Sequence, residues 1–140
     1  VAGFPNAGKS TLLNRLVGEK LAITSSKAQS TRHRIVGIRS EGALQMVLLD
    51  TPGLLDPRDR LHEAMRKTAL AAVRDADVIV HVVDATKSIP ASFHEAAALE
   101  APPRAPVLLV LNKSDLHEDV EPVIAEFQAS APGVPAGAWK

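Results

Sequence analysis

Residues 3–10 read Gly3-Phe4-Pro5-Asn6-Ala7-Gly8-Lys9-Ser10, which satisfies G-x-x-x-x-G-K-[S/T] at every required position. Few short patterns constrain a fold so strongly. Its glycines let the backbone curl so that successive N–H groups point into one hollow. A helix that follows presents its positive N-terminal end to the same hollow. The pattern therefore calls for a strand before it, a helix after it, and a phosphate between. Asn6, Ala7, Gly8, Lys9, Ser10 and Thr11 are the candidate phosphate-binding residues. Lys9 would bring charge to the β and γ phosphates, and Ser10 a hydroxyl to a magnesium ion.

The rest of the chain fits that demand. Residues 10–17 read as the helix after the loop. Residues 35–38 and 45–49 read as two strands joined through Glu41-Gly42-Ala43, a short hairpin. From Leu61, apolar or small residues recur at Met65, Ala69, Ala72, Val73 and Ala76, one face of a helix. Residues 78–83 are β-branched and apolar on both parities apart from His81, as a strand buried on both faces should be. Residues 107–111 form a second run of that kind. The alanine-rich stretch 91–100 is expected to be helical, stopped by Pro102-Pro103. Val120, Val123, Ile124 and Phe127 mark a last helix, and residues 129–138 a loop entering a final strand at Ala138-Trp139-Lys140. Strands alternating with helices predict an α/β, P-loop NTPase three-layer fold, its sheet mostly parallel with one antiparallel strand.

Composition narrows the rest. A chain of 140 residues, 46% hydrophobic, suffices for one domain with a core but not for two. Its 16 basic and 16 acidic residues cancel, whereas a domain gripping nucleic acid by its own field should be clearly basic. There is no cysteine, which removes disulfides and cysteine–zinc sites. No run approaches the roughly 18–20 apolar residues of a membrane span. A cytoplasmic location is the default expectation, and no segment calls for membrane association. His81 is expected to be a hydrogen-bonded core residue, and His62 and His94 to lie on helix surfaces.

Two further motifs follow the loop in order. Asp50-Thr51-Pro52-Gly53 ends an apolar strand, where a P-loop enzyme holds magnesium with a carboxylate. Gly53 would bring a backbone N–H to the γ-phosphate, so that losing this phosphate frees the segment behind it. Asn112-Lys113-Ser114-Asp115 ends the strand at 107–111. An ionised carboxylate only accepts hydrogen bonds. Guanine offers two adjacent donors to Asp115, and adenine offers no such pair. A site built to bond one group rejects its absence by about 10⁴-fold. Asn112 would bond the base or brace the phosphate loop, and the stem of Lys113 can lie over the base.

These residues resemble the translation-factor-like class of GTPases, and the details resemble the Era family. The loop with its continuation Thr11-Leu12-Leu13-Asn14 is similar to the family's G-x-P-N-x-G-K-S-T-L-L-N. Lys27-Ala28-Gln29-Ser30-Thr31-Arg32-His33-Arg34-Ile35-Val36-Gly37-Ile38 resembles a string characteristic of it. The resemblance implies GTP/GDP and Mg2+ as cofactors and a slow GTPase switch acting in small-subunit biogenesis through ribosomal RNA. It implies that Thr31 closes over the γ-phosphate and adds a magnesium ligand beside Ser10 and Asp50. Lys9, Thr31 and Gly53 would then be the catalytic group. RNA contact is expected mainly through a C-terminal KH domain that this chain lacks. Residues 1–140 are read as a GTPase domain truncated at both ends. Ser130-Ala131 comes too early for the family's fifth motif and is not assigned to it.

The hydrolytic machinery is less complete. Leu54 stands where some GTPases carry a glutamine, and no arginine finger is evident, Arg32 being the one near enough to consider. The TrmE and Der groups, which are similar, use a potassium ion in that place, held partly by a phosphate-loop asparagine. Asn6 occupies the position here, and the alternative is that it only shapes the loop. Two other readings stay open: the G domain of a TrmE- or Der-like protein, and a guanine-nucleotide sensor that does not hydrolyse.

Overall fold

The structure, a computed structural model, describes residues 1–22, 31, 33–54, 57–87, 92–116, 119, 121–122 and 124–125, and the backbone of 136–138. Helix α1 spans Lys9–Val17 and begins directly on Gly8, which lies in the left-handed region at φ 99°. No side chain caps this end, and no acidic residue occupies the first turn. Its N–H groups are therefore not taken by the usual partners. Gly18, also left-handed, ends the helix by donating its N–H to Asn14 O at 2.9 Å.

Strands β1 (Ile35–Glu41) and β2 (Leu44–Asp50) form the antiparallel hairpin. Their register runs from Ile35↔Asp50 to Glu41↔Leu44, around a two-residue turn at Gly42-Ala43. One face packs on α1 through Leu13, Ala22 and Leu48, with Val17 and Ile35 beside them. Helix α2 (Arg60–Asp75) starts where the Asp59 side chain accepts from His62 N at 2.8 Å. It buries Met65, Ala69, Ala72 and Val73, the face its sequence period defines, while Leu61 stays exposed and Ala76 half-buried.

Strand β3 (Ile79–Asp84) pairs in parallel with β4 (Val107–Asn112), and β4 with β5 (Ala136–Ala138). Ala2 makes a parallel bridge to His81, and the Val1 nitrogen reaches Leu49 O at 2.6 Å. Residues 1–2 thus join the hairpin to the parallel strands. Val80, Val82 and Val110 pack with Leu12 and Ala7 on the α1 side. Ile79 packs with Ala69, Val73, Phe93 and Ala97 on the side of α2 and the short helix α3 (Phe93–Ala96). The result is the three-layer α/β arrangement with an antiparallel hairpin at one edge. Among the described residues, no helix is long and apolar enough to cross a membrane.

Three expectations change. The helix expected over 91–100 shrinks to the four residues of α3, capped by Ser92. Ala98 turns left-handed at φ 43°, and Arg66 from α2 donates to Ala97 O at 2.7 Å and Ala98 O at 3.3 Å. Alanine's helix preference is a weak term beside such a tertiary clamp. The last strand begins at Ala136, two residues before the one read at 138–140, whose Trp139 and Lys140 lie outside the described residues. His81 is fully buried as expected, yet neither ring nitrogen has a hydrogen-bond partner among the described residues. It meets Phe93 edge-on instead, with centroids 5.1 Å apart and planes at 73°. The expected helix around Val120, Val123, Ile124 and Phe127 lies mostly outside the described residues, as does Ser130-Ala131.

Candidate active site

The C-terminal ends of β2, β3 and β4 and the start of α1 meet at one end of the sheet, and the three motifs meet with them. The loop before α1 is held from below by Asn112, whose Nδ2 donates to Ala7 O at 2.9 Å. Gly8 sits against that amide. A Cβ there would overlap Asn112 Nδ2, and its φ of 99° disfavours any side chain. Lys9 is buried, and its Nζ donates to Phe4 O at 3.0 Å. Burial lowers its pKa to about 8, against the opposing pull of Asp50. An anion in the loop would favour the charged form and reverse that shift.

Asp50 is completely buried at the end of β2. Its Oδ2 accepts from Ser10 Oγ at 2.6 Å and from Thr31 Oγ1 at 3.3 Å, and the two hydroxyls lie 3.2 Å apart. Its Oδ1 is buried with no hydrogen-bond partner among the described residues. A buried carboxylate oxygen left unpaired is costly. Three hard oxygen donors with one lone pair set unspent suit Mg2+, which keeps waters and takes few protein ligands. Thr31, which the sequence without its resemblance would leave as a solvated loop residue, is buried here.

The segment after Asp50 is fastened to the phosphate loop. Thr51 Oγ1 donates to Val1 O at 2.9 Å, and Leu54 N to Gly3 O at 3.0 Å. Gly53 lies so close to Pro5 that an added Cβ would stand 2.7 Å from its Cγ. Leu54 packs into the apolar core with Ala2, Ala69 and Val73, away from the oxygen cluster.

At the end of β4, Lys113 takes a left-handed φ of 61° and is followed by a 3-10 turn at Ser114–Leu116. Asp115 is exposed in that turn. Lys113 Nζ donates to Asp84 Oδ2 at 2.7 Å. The sequence reading does not single out Asp84. The signal is that Val82-Val83-Asp84 repeats the pattern of Leu48-Leu49-Asp50, a carboxylate ending an apolar run. Burial pushes the Asp84 carboxyl up, but hydrogen bonds from Lys113 and Thr86 together hold it below its usual value.

The structure brings together Ala7, Gly8, Lys9, Ser10, Thr31, Asp50, Gly53, Asn112 and Lys113. Asn6 is exposed on the loop at φ 60°, and Thr11 is exposed on the first turn of α1. His33 and Arg34 are exposed, as a solvated basic stretch should be. Lys27, Arg32 and the segment before Thr31 lie outside the described residues.

A phosphate loop, a magnesium-type oxygen cluster and a guanine-type base reader at one end of a three-layer sheet define a P-loop GTPase domain. The description "50S ribosome-binding GTPase" matches residues 1–113, and the chain belongs to that family. Within it the chain is similar to proteins called GTPase Era. It is 47% identical to the one from Pseudomonas fluorescens over 122 residues, 85% of this chain and 40% of that protein. To that of Geobacter metallireducens it is 46% identical over 118 residues, 84% of this chain and 40% of that protein. The crystal structure of Era with MgGDPNP and nucleotides 1506–1542 of 16S ribosomal RNA superposes at a TM-score of 0.89 and 36% identity, covering 98% of this chain and 48% of that one. A variant of Aquifex aeolicus Era bound to GDP and AlF4⁻ gives the same values. The chain spans about two fifths of the length of the curated relatives it matches.

Proposed function

We propose that this chain is the guanine-nucleotide switch of a longer, Era-like protein that hydrolyses GTP slowly and acts in small-subunit biogenesis through ribosomal RNA. The observation that carries the reading is the meeting of Lys9, the Ser10–Thr31–Asp50 oxygens and the Asn112-Lys113-Ser114-Asp115 turn at one end of the sheet. The Era relatives add the ribosomal context, since one of them is seen with 16S ribosomal RNA. The chain's zero net charge supports placing the main RNA grip, a KH domain by the family resemblance, outside these residues. The reading places the protein in the cytoplasm.

In this reading Lys9 and the uncapped start of α1 hold the phosphates. Ser10, Thr31 and Asp50 would hold Mg2+, which when bound would neutralise charge on the β and γ phosphates. Gly53 presents its N–H to the γ-phosphate, and Thr31 closes over it. Asp115 pairs with the guanine edge, while Asn112 keeps the loop braced. Water is the nucleophile, and the γ-phosphoryl passes to it with the P–O bond to the β-phosphate breaking. With Leu54 turned into the core, no side chain at that position orients the water. Asn6, at the mouth of the loop, is the residue to hold a potassium ion in place of an arginine finger.

The test compares GTP hydrolysis in potassium and in sodium at equal ionic strength, for the wild-type protein and Asn6→Ala. Wild-type turnover several-fold faster in potassium, with the preference gone in the variant, is the expected result. A preference that survives the substitution removes Asn6 from the site. No phosphate release in any condition, with ribosomal RNA added, would leave a sensor in place of an enzyme.

A further inference from the structure

We infer that Asp84 is a positioning residue of the guanine pocket, one that anchors the Lys113 ammonium and thereby fixes the lysine stem as a wall for the purine ring. The inference rests on the base-reader assignment above and extends it to a residue outside the motif. Asp84 and Asn112 are register partners at the ends of β3 and β4, and Ala85 N carries the ladder one step further by donating to Asn112 O at 2.9 Å. The carboxylate therefore stands beside the turn that reads the base.

Both of its oxygens are engaged, each by a different partner. Oδ2 accepts from Lys113 Nζ at 2.7 Å. Oδ1 accepts from Thr86 Oγ1 at 2.6 Å and Thr86 N at 3.1 Å. The Asp84 side chain is 6% exposed and that of Lys113 is 36% exposed, so the lysine stays partly open while its ammonium contacts a buried carboxylate. A left-handed backbone at a non-glycine residue such as Lys113 needs support from its surroundings.

An apolar residue would end β3 at lower cost, because a buried carboxylate is tolerated only when paired. What Asp84 adds is order in a four-carbon chain before the base arrives. The rotamer entropy of Lys113 is then lost on folding instead of on binding, which favours tight nucleotide binding.

Asp84→Asn separates this from a purely structural role. With its amide oxygen kept toward Thr86, the new amide points N–H groups at the Lys113 ammonium, and the anchor is gone at nearly constant shape. GDP should then dissociate about tenfold faster, since ordering one long side chain is again part of binding. Lys113→Met should be impaired by itself, and adding Asp84→Asn to it should change nothing more. Asp84→Glu keeps the charge within reach of Lys113 and should stay within about twofold of wild type, since the charge-assisted bond survives. This variant and Lys113→Met carry the test should Asp84→Asn not fold, a tenfold loss in Asp84→Glu then counting against the anchor. Unchanged GDP dissociation in Asp84→Asn, or an equal further loss on the Lys113→Met background, overturns the inference. A wild-type protein that binds ADP as well as GDP would instead sink the guanine reading itself.

Discussion

Replacing His81 with leucine should make the fold more resistant to acid, and the size of the effect follows from the burial of one ring. His81 has its pKa lowered from 6.5 to about 4, first by burial and then by the positive charge of Lys9. The unfolded chain therefore takes up this proton below about pH 6.5, whereas the fold does not until about pH 4. Across that window protons favour unfolding, so the contribution is fully present above pH 6.5 and is lost as the pH falls toward 4. Each pH unit removes about 1.4 kcal/mol while one proton separates the two states. Between pH 7 and pH 5 the wild type should lose about 2 kcal/mol through this ring alone. At pH 7 leucine also removes two buried nitrogens unpaired among the described residues, worth about 1–3 kcal/mol each, and forfeits an aromatic contact worth about 0.5–1.5 kcal/mol. Urea unfolding of both proteins at pH 7 and pH 5 measures the double difference, in which every other titrating group cancels. If the two proteins lose stability in parallel between those pH values, the ring is not held neutral by burial and the argument fails.

Asp50→Asn should abolish the effect of magnesium on nucleotide affinity: GDP affinity with Mg2+ and with EDTA should differ about tenfold or more in the wild type and hardly at all in the variant. A variant that keeps the magnesium effect would place the ion elsewhere. Gly53→Ala puts a Cβ 2.7 Å from Pro5 Cγ and 2.9 Å from Pro5 N, too near for a loop that cannot yield. The Gly53 segment has to shift, and GTP turnover should fall about a hundredfold with GDP affinity little changed, so full turnover would show that Gly53 does not contact the γ-phosphate side of the site.

Much of this architecture was legible because its signals are local. Gly8, Lys9 and Ser10 sit on a turn whose geometry is written in the glycines, and the helix α2 shows its buried face in the spacing of Met65, Ala69, Ala72 and Val73. The strands β3 and β4 declare themselves by being apolar on both parities. What was not legible depends on contacts between distant segments. Alanine content alone lengthens α3, because the Arg66 guanidinium that closes it arrives from another helix. Asp84 looks like an ordinary strand end until the fold sets Lys113 across from it. His81 invites a hydrogen bond in any general account of buried polar groups, yet among the described residues it meets the Phe93 ring and no hydrogen-bond partner.

The single bond from Asn112 Nδ2 to Ala7 O ties together residues 105 positions apart in the chain. It links the loop that would hold the phosphates to the strand end that would hold the base, so the two halves of the ligand are expected to bind cooperatively. A pyrophosphate that ordered the loop should also steady the strand end, and a bound base should steady the loop in return. Linkage makes this reciprocal, so each fragment should raise the affinity for the other by the same factor. Removing that bond, with every ligand-contacting group of the loop left in place, should weaken the coupling between the two halves of the pocket.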